Sequence, residues 1–442
     1  MERKVGMISL GCPKNQVDAE IMLKKLVDAG YILVQEADKA DVVIVNTCGF
    51  IEDAKKESID AILEMVDYKE DGLLQKILVT GCLAQRYAEE IFDEIPEVDG
   101  VIGIGANDDI VEACNALFEE DEQFKAFPEK EKLPLNGGRI LTTPEYTAYL
   151  KIAEGCSNCC SYCAIPSIRG GFRSREMDDI LEEAGMLCEK GVKEIILVAQ
   201  DTTKYGEDIY GELKLPELLD RLNEIESLHW IRLLYCYPDR ITDELIDAIA
   251  RNEKVCNYID IPMQHADGEI LKAMNRHGNK DSLLSLVEKL RGRIPDIIIR
   301  TTFITGFPGE NEDNFTTLSE FVNEARLDKV GCFAYSREEG TPAYDFPDQI
   351  DPEVAAHRAE IIMDQQFRIS EEKLEGYIGQ TFEVLVEGYD PYTDSYVGRT
   401  YMDSPDIDNS VVFTSGYRID DGDIVPVEIF DKDEFALIGE AI

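Results

Sequence analysis

The sequence predicts an α/β multidomain protein: a small doubly wound α/β domain at residues 1–118, a linker at 119–145, a partial (β/α)6 barrel of TIM-like form at 146–373, and an antiparallel β-barrel of the OB type at 374–442. Three observations predict it. Short apolar strands alternate with amphipathic helical stretches from the start of the chain. Six further strand candidates recur after residue 146, each separated from the next by helical sequence. Beyond Gly376 the pattern changes to short strands punctuated by Gly and Asp turns. A chain of 442 residues also exceeds what one hydrophobic core supports, so several domains are expected.

In the first domain, residues 5–9, 42–46 and 77–80 are short, largely apolar and partly β-branched, as buried parallel strands are. Val17, Ile21, Met22 and Leu26 recur at helical spacing before Gly30, and Ile59, Ile62, Leu63 and Val66 do so before Gly72. From 119 to 145 the pattern dissolves into the acidic run Glu119-Glu120-Asp121-Glu122, then Pro128, Pro134, Gly137, Gly138 and Pro144, which reads as a linker. The six strands of the second domain are expected at 147–152, 194–199, 229–235, 258–261, 297–303 and 329–335, with the active site at their carboxyl ends. A helical tail over 352–374 closes that domain. The terminal barrel is expected to use strands at 382–387, 396–398, 411–413 and 424–429.

Composition narrows the function classes. With 44% hydrophobic and 30% charged residues the chain reads as soluble and globular, and no apolar run approaches the roughly 18 residues of a membrane span. Met1-Glu2-Arg3-Lys4 leads straight into a short strand rather than the apolar core of a signal peptide, so the expected location is the cytoplasm, without a membrane partner. The 12 cysteines are then expected as metal ligands, reactive groups or core packing rather than disulfides, because the cytosol keeps thiols reduced. A formal net charge of −46 repels nucleic-acid phosphates and attracts basic partners, although solubility alone accounts for it equally.

The densest signal is Gly155-Cys156-Ser157-Asn158-Cys159-Cys160-Ser161-Tyr162-Cys163, directly after the first barrel strand. Three thiolates at C-x3-C-x2-C, namely Cys156, Cys160 and Cys163, can bind three irons of a cubane cluster and leave the fourth iron open. An open iron can chelate S-adenosylmethionine and pass an electron to its sulfonium, which yields the 5′-deoxyadenosyl radical. A zinc knot usually brings a second CxxC pair or an added His, and no second pair follows. Cys159 adjoins Cys160, so the register through Cys159 is open too; Tyr162 precedes the last cysteine in either case.

A second trio is spread through the first domain. Cys12, Cys48 and Cys82 each fall two or three residues past the end of an expected parallel strand, in the crevice where open α/β sheets bind ligands. Each lies beside a glycine, Gly11, Gly49 or Gly81, which lets the backbone bend around a bulky group. This placement argues for a second three-thiolate cluster. Cys114, Cys188, Cys236, Cys256 and Cys332 have no ligand spacing and read as packing. The four histidines are scattered; His265 stands out because it follows a barrel strand. Three barrel-end segments offer cofactor contacts: Gln200 in Ala199-Gln200-Asp201-Thr202-Thr203, Gln264 in Ile261-Pro262-Met263-Gln264-His265, and Gly306 in Thr305-Gly306-Phe307-Pro308-Gly309-Glu310.

Taken together, these residues resemble the methylthiotransferase branch of the radical S-adenosylmethionine superfamily over nearly the full chain: an amino-terminal cluster domain, a radical core and a terminal barrel of the TRAM type. Within that branch the chain is similar to the members that modify an aspartate of a ribosomal protein. The pointers are Ser9-Leu10-Gly11-Cys12-Pro13-Lys14-Asn15, Gln200-Asp201-Thr202-Thr203 with Tyr205-Gly206, Ile261 to His265, and Gly398-Arg399-Thr400-Tyr401 with Pro405-Asp406-Ile407-Asp408. Ala19 departs from the serine expected there, and Cys159 is an unusual neighbour. The resemblance implies two [4Fe-4S] clusters, a radical one on Cys156, Cys160 and Cys163 and an auxiliary one on Cys12, Cys48 and Cys82, so that Cys159 is not a ligand. It also implies two roles for S-adenosylmethionine, as methyl donor to sulfur and as source of the radical that removes hydrogen from the aspartate β-carbon. An electron donor is required. The partner implied is a basic small-subunit ribosomal protein.

Residues 374–442 carry sixteen acidic side chains against three basic ones, Arg399, Arg418 and Lys432. A groove for RNA phosphates needs positive charge, so direct tRNA binding is disfavoured and a basic protein is favoured. Two rival readings remain. One is the same chemistry on an N6-modified adenosine of tRNA, which the charge opposes. The other is a non-catalytic two-cluster electron-transfer protein, which leaves the barrel and the two open irons without a purpose.

Overall fold

A computed structural model describes residues 3–119 and 122–442; Met1, Glu2 and the centre of the acidic run, Glu120 and Asp121, lie outside the described residues. The first domain is a six-stranded parallel sheet built from β1 (Lys4–Ser9), β2 (Ile32–Leu33), β3 (Val42–Thr47), β4 (Lys76–Gly81), β5 (Gly100–Ile102) and β6 (Phe124–Ala126), in the order β2-β1-β3-β4-β5-β6. Its central strand β3 is buried throughout. Val43 and Val45 pack with Ile62 and Met65 of the helix Glu52–Glu70, while Val42 and Ile44 pack with Met22 and Leu26 of the helix Pro13–Asp28 on the other face. Strand alternation thus covers both faces, as a doubly wound sheet requires.

Two sequence expectations are adjusted. The stretch read as a linker contributes β6, which pairs in parallel with β5, and it also carries the buried Arg139, bonded to Glu20 and Glu183. Three residues are too few for a periodic signal, and the flanking Pro and Gly mask them. Ile59 and Leu63 are 40% and 45% exposed. The helix buries Ser58, Ile62, Met65 and Val66 instead, one step around the helical wheel.

The second domain holds β7 (Thr147–Lys151), a two-stranded ribbon of β8 (Ala153–Glu154) and β9 (Arg173–Ser174), and then β10 (Glu194–Val198), β11 (Trp230–Leu233), β12 (Val255–Asp260), β13 (Ile298–Thr305) and β14 (Lys329–Ala334). The six main strands are parallel in the order β7-β10-β11-β12-β13-β14, an incomplete barrel. Ile195 and Leu197 face the outer helices, whereas Ile196 and Val198 face the interior with Tyr149, Tyr258 and Leu234.

The terminal barrel closes in the order β15 (Thr381–Asp390), β16 (Ser395–Arg399), β17 (Ser410–Thr414), β19 (Ala436–Ala441) and β18 (Ile424–Lys432). Four of its pairings are antiparallel; β17 and β19 run parallel, and β19 is a strand the sequence reading did not include. This barrel sits under the amino ends of the radical-barrel strands. Arg399 is buried against Glu194, the first residue of β10, and donates to the Thr147 hydroxyl at 3.0 Å. Arg232 donates to Glu194 at 2.8 Å and to the Tyr401 carbonyl at 2.7 Å. Lys329 pairs with Asp403, and the Tyr258 hydroxyl donates to Asp408 at 2.7 Å. Arg399, Tyr401 and Asp408, which carried part of the resemblance, are therefore a seat between domains. The opposite, carboxyl end of the strands is left for chemistry.

Candidate functional site

The first cysteine trio forms where three strand ends converge. Cys12 caps the helix that Pro13 opens, Cys48 follows β3, and Cys82 starts the helix Cys82–Arg86 after β4. Gly11 is at φ +88°, and a Cβ there would lie 2.6 Å from that of Cys48. Gly81 is at φ +95°, and a Cβ there would meet the Thr47 carbonyl at 2.4 Å. Only glycine lets these loops approach so closely. Burial, reinforced by the adjacent Cys82 and Cys12, pushes the Cys48 thiol up to about 12. Burial also raises the Cys82 thiol, against the pull of Arg169. Thiols crowded together away from water resist ionising unless a metal supplies the positive charge.

The second trio is carried by the loop that the β8–β9 ribbon pins at its base. The Cys156 amide donates to the Gly170 carbonyl at 3.1 Å, and the Cys163 amide to that of Cys160 at 3.1 Å. Cys160 is buried and adjoins both Cys156 and Cys163; its sulfur lies 3.8 Å from the Arg276 guanidinium. Cys159 is exposed at φ +52°, with its carbonyl held by Asn275 at 3.0 Å. The backbone thus turns the two adjacent thiols apart. Burial pushes Cys156 up to about 11 and Cys163 up to about 12. Among the described residues, no three His, Cys, Asp or Glu side chains close around the point of a single ion.

The two trios share one wall. Cys82 packs against Ala164 and Ile168, in the turn that directly follows Cys163. Arg169, at the end of that turn, donates to Asp18 and Glu154, each at 2.9 Å, and to Asn15 at 3.1 Å. Lys151 completes the ionic group with Asp18 and Glu154. Burial opposes the charge on Glu154, but Arg169 and Lys151 hold its carboxyl well below the usual range.

Gln200 donates to Glu154 at 2.8 Å, while its own carbonyl oxygen is buried without a partner among the described residues. An orphaned acceptor beside the cysteine loop suits an amino group arriving from outside. Gln264 is at φ +71° and its backbone bridges to β13. Gly306 is at φ +73°; its amide donates to Glu310 at 3.0 Å, and a Cβ there would lie 2.1 Å from that of Ala355 in the helix Pro352–Glu375. His265 is fully buried, accepts the Asp267 amide at 2.9 Å and faces Glu310 at 3.3 Å, so it sits behind this loop. Sequence reasoning did not find Arg276, the Asn158–Asp201–Arg240 group (2.8 to 3.1 Å) that braces the cysteine loop, or Arg169. These lie far apart in sequence, and only the barrel brings them together.

Comparison with known proteins agrees part by part. Residues 4–103 match the profile of the uncharacterized protein family UPF0004, residues 150–322 that of the radical SAM superfamily, and residues 378–442 that of the TRAM domain. A solved structure, the radical S-adenosylmethionine methyltransferase TsrM from Kitasatospora setae with cobalamin and a [4Fe-4S] cluster bound, superposes with a TM-score of 0.59 over 78% of this chain and 77% of that one. At 15% identity this is a likeness of fold alone. The fold and these matches define a radical S-adenosylmethionine enzyme. Proteins named ribosomal protein uS12 methylthiotransferase RimO are similar over full length: that of Acetivibrio thermocellus is 49% identical, covering 100% of this chain and 99% of its own, and that of Desulforamulus reducens 50%, covering 99% of each. The chain belongs to this RimO family.

Proposed function

We propose that the protein attaches a methylthio group to the β-carbon of an aspartate in ribosomal protein uS12. The observation that supports this reading is the shared wall between the two cysteine trios, which would bring a radical source and a sulfur source to one carbon. Cys156, Cys160 and Cys163 would hold the radical [4Fe-4S] cluster, and Cys12, Cys48 and Cys82 the auxiliary one. S-adenosylmethionine bound at the first supplies the radical needed to break an unactivated C–H bond, which offers no acid–base handle. Gln200, Gln264 and Gly306 line its place. Arg276 holds the buried Cys160 side, and the Asn158–Asp201–Arg240 group fixes the loop. The proposed division of labour follows the parts: 1–118 for sulfur, 146–373 for the radical and 374–442 for substrate, with Arg139 joining the first two through Glu20 and Glu183.

The terminal barrel supports a protein substrate over RNA. Of its three basic residues Arg399 is buried in ion pairs with Glu194 and Glu387, so even less positive charge faces solvent than composition suggests. Its net negative charge disfavours phosphates, whereas a basic ribosomal protein meets a complementary field. An electron donor completes the system. Mass spectrometry of ribosomal proteins from cells with and without the gene tests the reading: uS12 heavier by one methylthio group only when the gene is present supports it. An unchanged uS12 together with a tRNA adenosine that loses its methylthio group overturns the substrate.

A further inference from the structure

We infer that Lys14 is the recognition residue for the side-chain carboxylate of the target aspartate, an inference that rests on the function proposed above. Among the described residues two lysines are buried. Lys151 is matched by two carboxylates, Asp18 and Glu154. Lys14 is only 6% exposed, yet among the described residues it pairs with no carboxylate. Its ammonium stands 3.3 Å above the centre of the Tyr235 ring, two residues along the helix from Cys12. Several other buried charges at this junction are paired within the protein, Glu20 by Arg139, Asp201 by Arg240 and Asp260 by Arg300, while Arg276 is held by the Pro262 carbonyl and faces Cys160. The ring face of Tyr235 and the neighbouring Cys12 side chain favour the ammonium, and no carboxylate joins them. Lys14 is therefore a cation beside the Cys12 pocket that an incoming carboxylate can pair with.

Tyr235 is built as a seat for this cation. It holds φ at +60°, a left-handed conformation that a bulky residue adopts only under constraint, and Asp260 accepts its amide at 2.9 Å. The chemistry selects the anion. The carbon to be modified is bonded directly to a carboxylate carbon, and sulfur must reach it from the Cys12, Cys48 and Cys82 pocket. When that carbon is in place, its carboxylate lies beside the pocket, where Lys14 waits at the first turn of the Cys12 helix. An aspartate bound there pairs its carboxylate with the ammonium, and that attraction offsets the desolvation of both. Asparagine, neutral and of the same shape, satisfies neither.

The test uses the anaerobically reconstituted holoenzyme and purified uS12 in two forms, with the target aspartate intact or replaced by asparagine. Binding of each is measured by fluorescence anisotropy without reductant, so that no turnover intervenes. Wild type should prefer the aspartate form by about 10- to 100-fold, the strength of a charge-assisted contact. Lys14→Met should abolish that preference by weakening the aspartate form alone, Lys14→Arg should retain part of it, and iron content should stay at the wild-type level. Tyr235→Leu, which removes the seat but not the charge, should lower the preference as well. A Lys14→Met protein that discriminates as well as wild type, or that loses affinity for both forms equally, overturns the inference. A wild-type holoenzyme that binds neither form overturns the substrate reading itself, which is a different result.

Discussion

Arg399 of the terminal barrel and Glu194 at the start of β10 form an ion pair in which both side chains are withdrawn from solvent. Glu194 is shared with Arg232, so one carboxylate ties two strands of the radical barrel to another domain. Replacing Arg399 by Ala leaves that carboxylate half matched and Glu387 unpaired. The expected cost is about 3 kcal/mol, read as a lower midpoint in thermal or denaturant unfolding. Iron content after reconstitution should not change, because the Cys156 loop lies at the far end of the barrel strands and the Cys12, Cys48 and Cys82 trio belongs to the first domain's sheet.

Cys159 and Cys160 make the register of the radical cluster testable. Cys159→Ala should leave reconstituted iron at about eight per chain and leave cofactor cleavage intact, because its thiol is exposed while that of Cys160 is buried beside Arg276. Cys160→Ala should lose cleavage. The opposite pattern would reverse the assignment.

The Cys12, Cys48 and Cys82 trio separates sulfur supply from radical generation. With all three replaced by Ala, iron should fall by about half, and S-adenosylmethionine should still be cleaved to 5′-deoxyadenosine without methylthio product. Liquid chromatography of the nucleoside and mass spectrometry of uS12 report the two activities separately. Full product from this variant would refute the second site.

The acidic face of the terminal barrel should govern encounter with substrate. Asp423 pairs with Lys193 and accepts the Asp420 amide, so it belongs to the structure of the turn. Asp420 and Asp421 are the better positions for reversal to lysine. The double variant should lower kcat/KM for uS12 by about tenfold at low salt, with a smaller difference as salt rises, and leave uncoupled cofactor cleavage unchanged. An enzyme acting on tRNA would gain rate from the same change.

The long repeating features were legible in the sequence. The six barrel strands and the two helices flanking the first sheet announce themselves by period, and the cysteine loop by spacing. Strands of two or three residues, β2, β5 and β6, carry too little pattern to be seen, and β6 lies hidden among prolines and glycines. The placement of Cys12, Cys48 and Cys82 beyond strand ends could be read because sheet topology alone brings strand ends together. The partners of Arg169, Lys14 and Arg399 could not. Asp18 to Lys151, Lys14 to Tyr235 and Arg399 to Glu194 are separated by more than a hundred residues each, and only the packed domains set them face to face.

The terminal barrel sits at the amino ends of the radical-barrel strands, whereas the Cys156 loop follows the carboxyl end of β7. The eight residues of β13, Ile298–Thr305, put about 26 Å between those ends. A folded partner gripped by the barrel therefore cannot press a flat surface into the chemical site; only an extended loop reaching up the side of the open barrel spans both. Such a two-point hold works like a tether. On the proposed reading, a substrate held by the barrel would have its loop tip concentrated at the distant site, so changes in the barrel should appear in KM and changes near the cysteines in kcat.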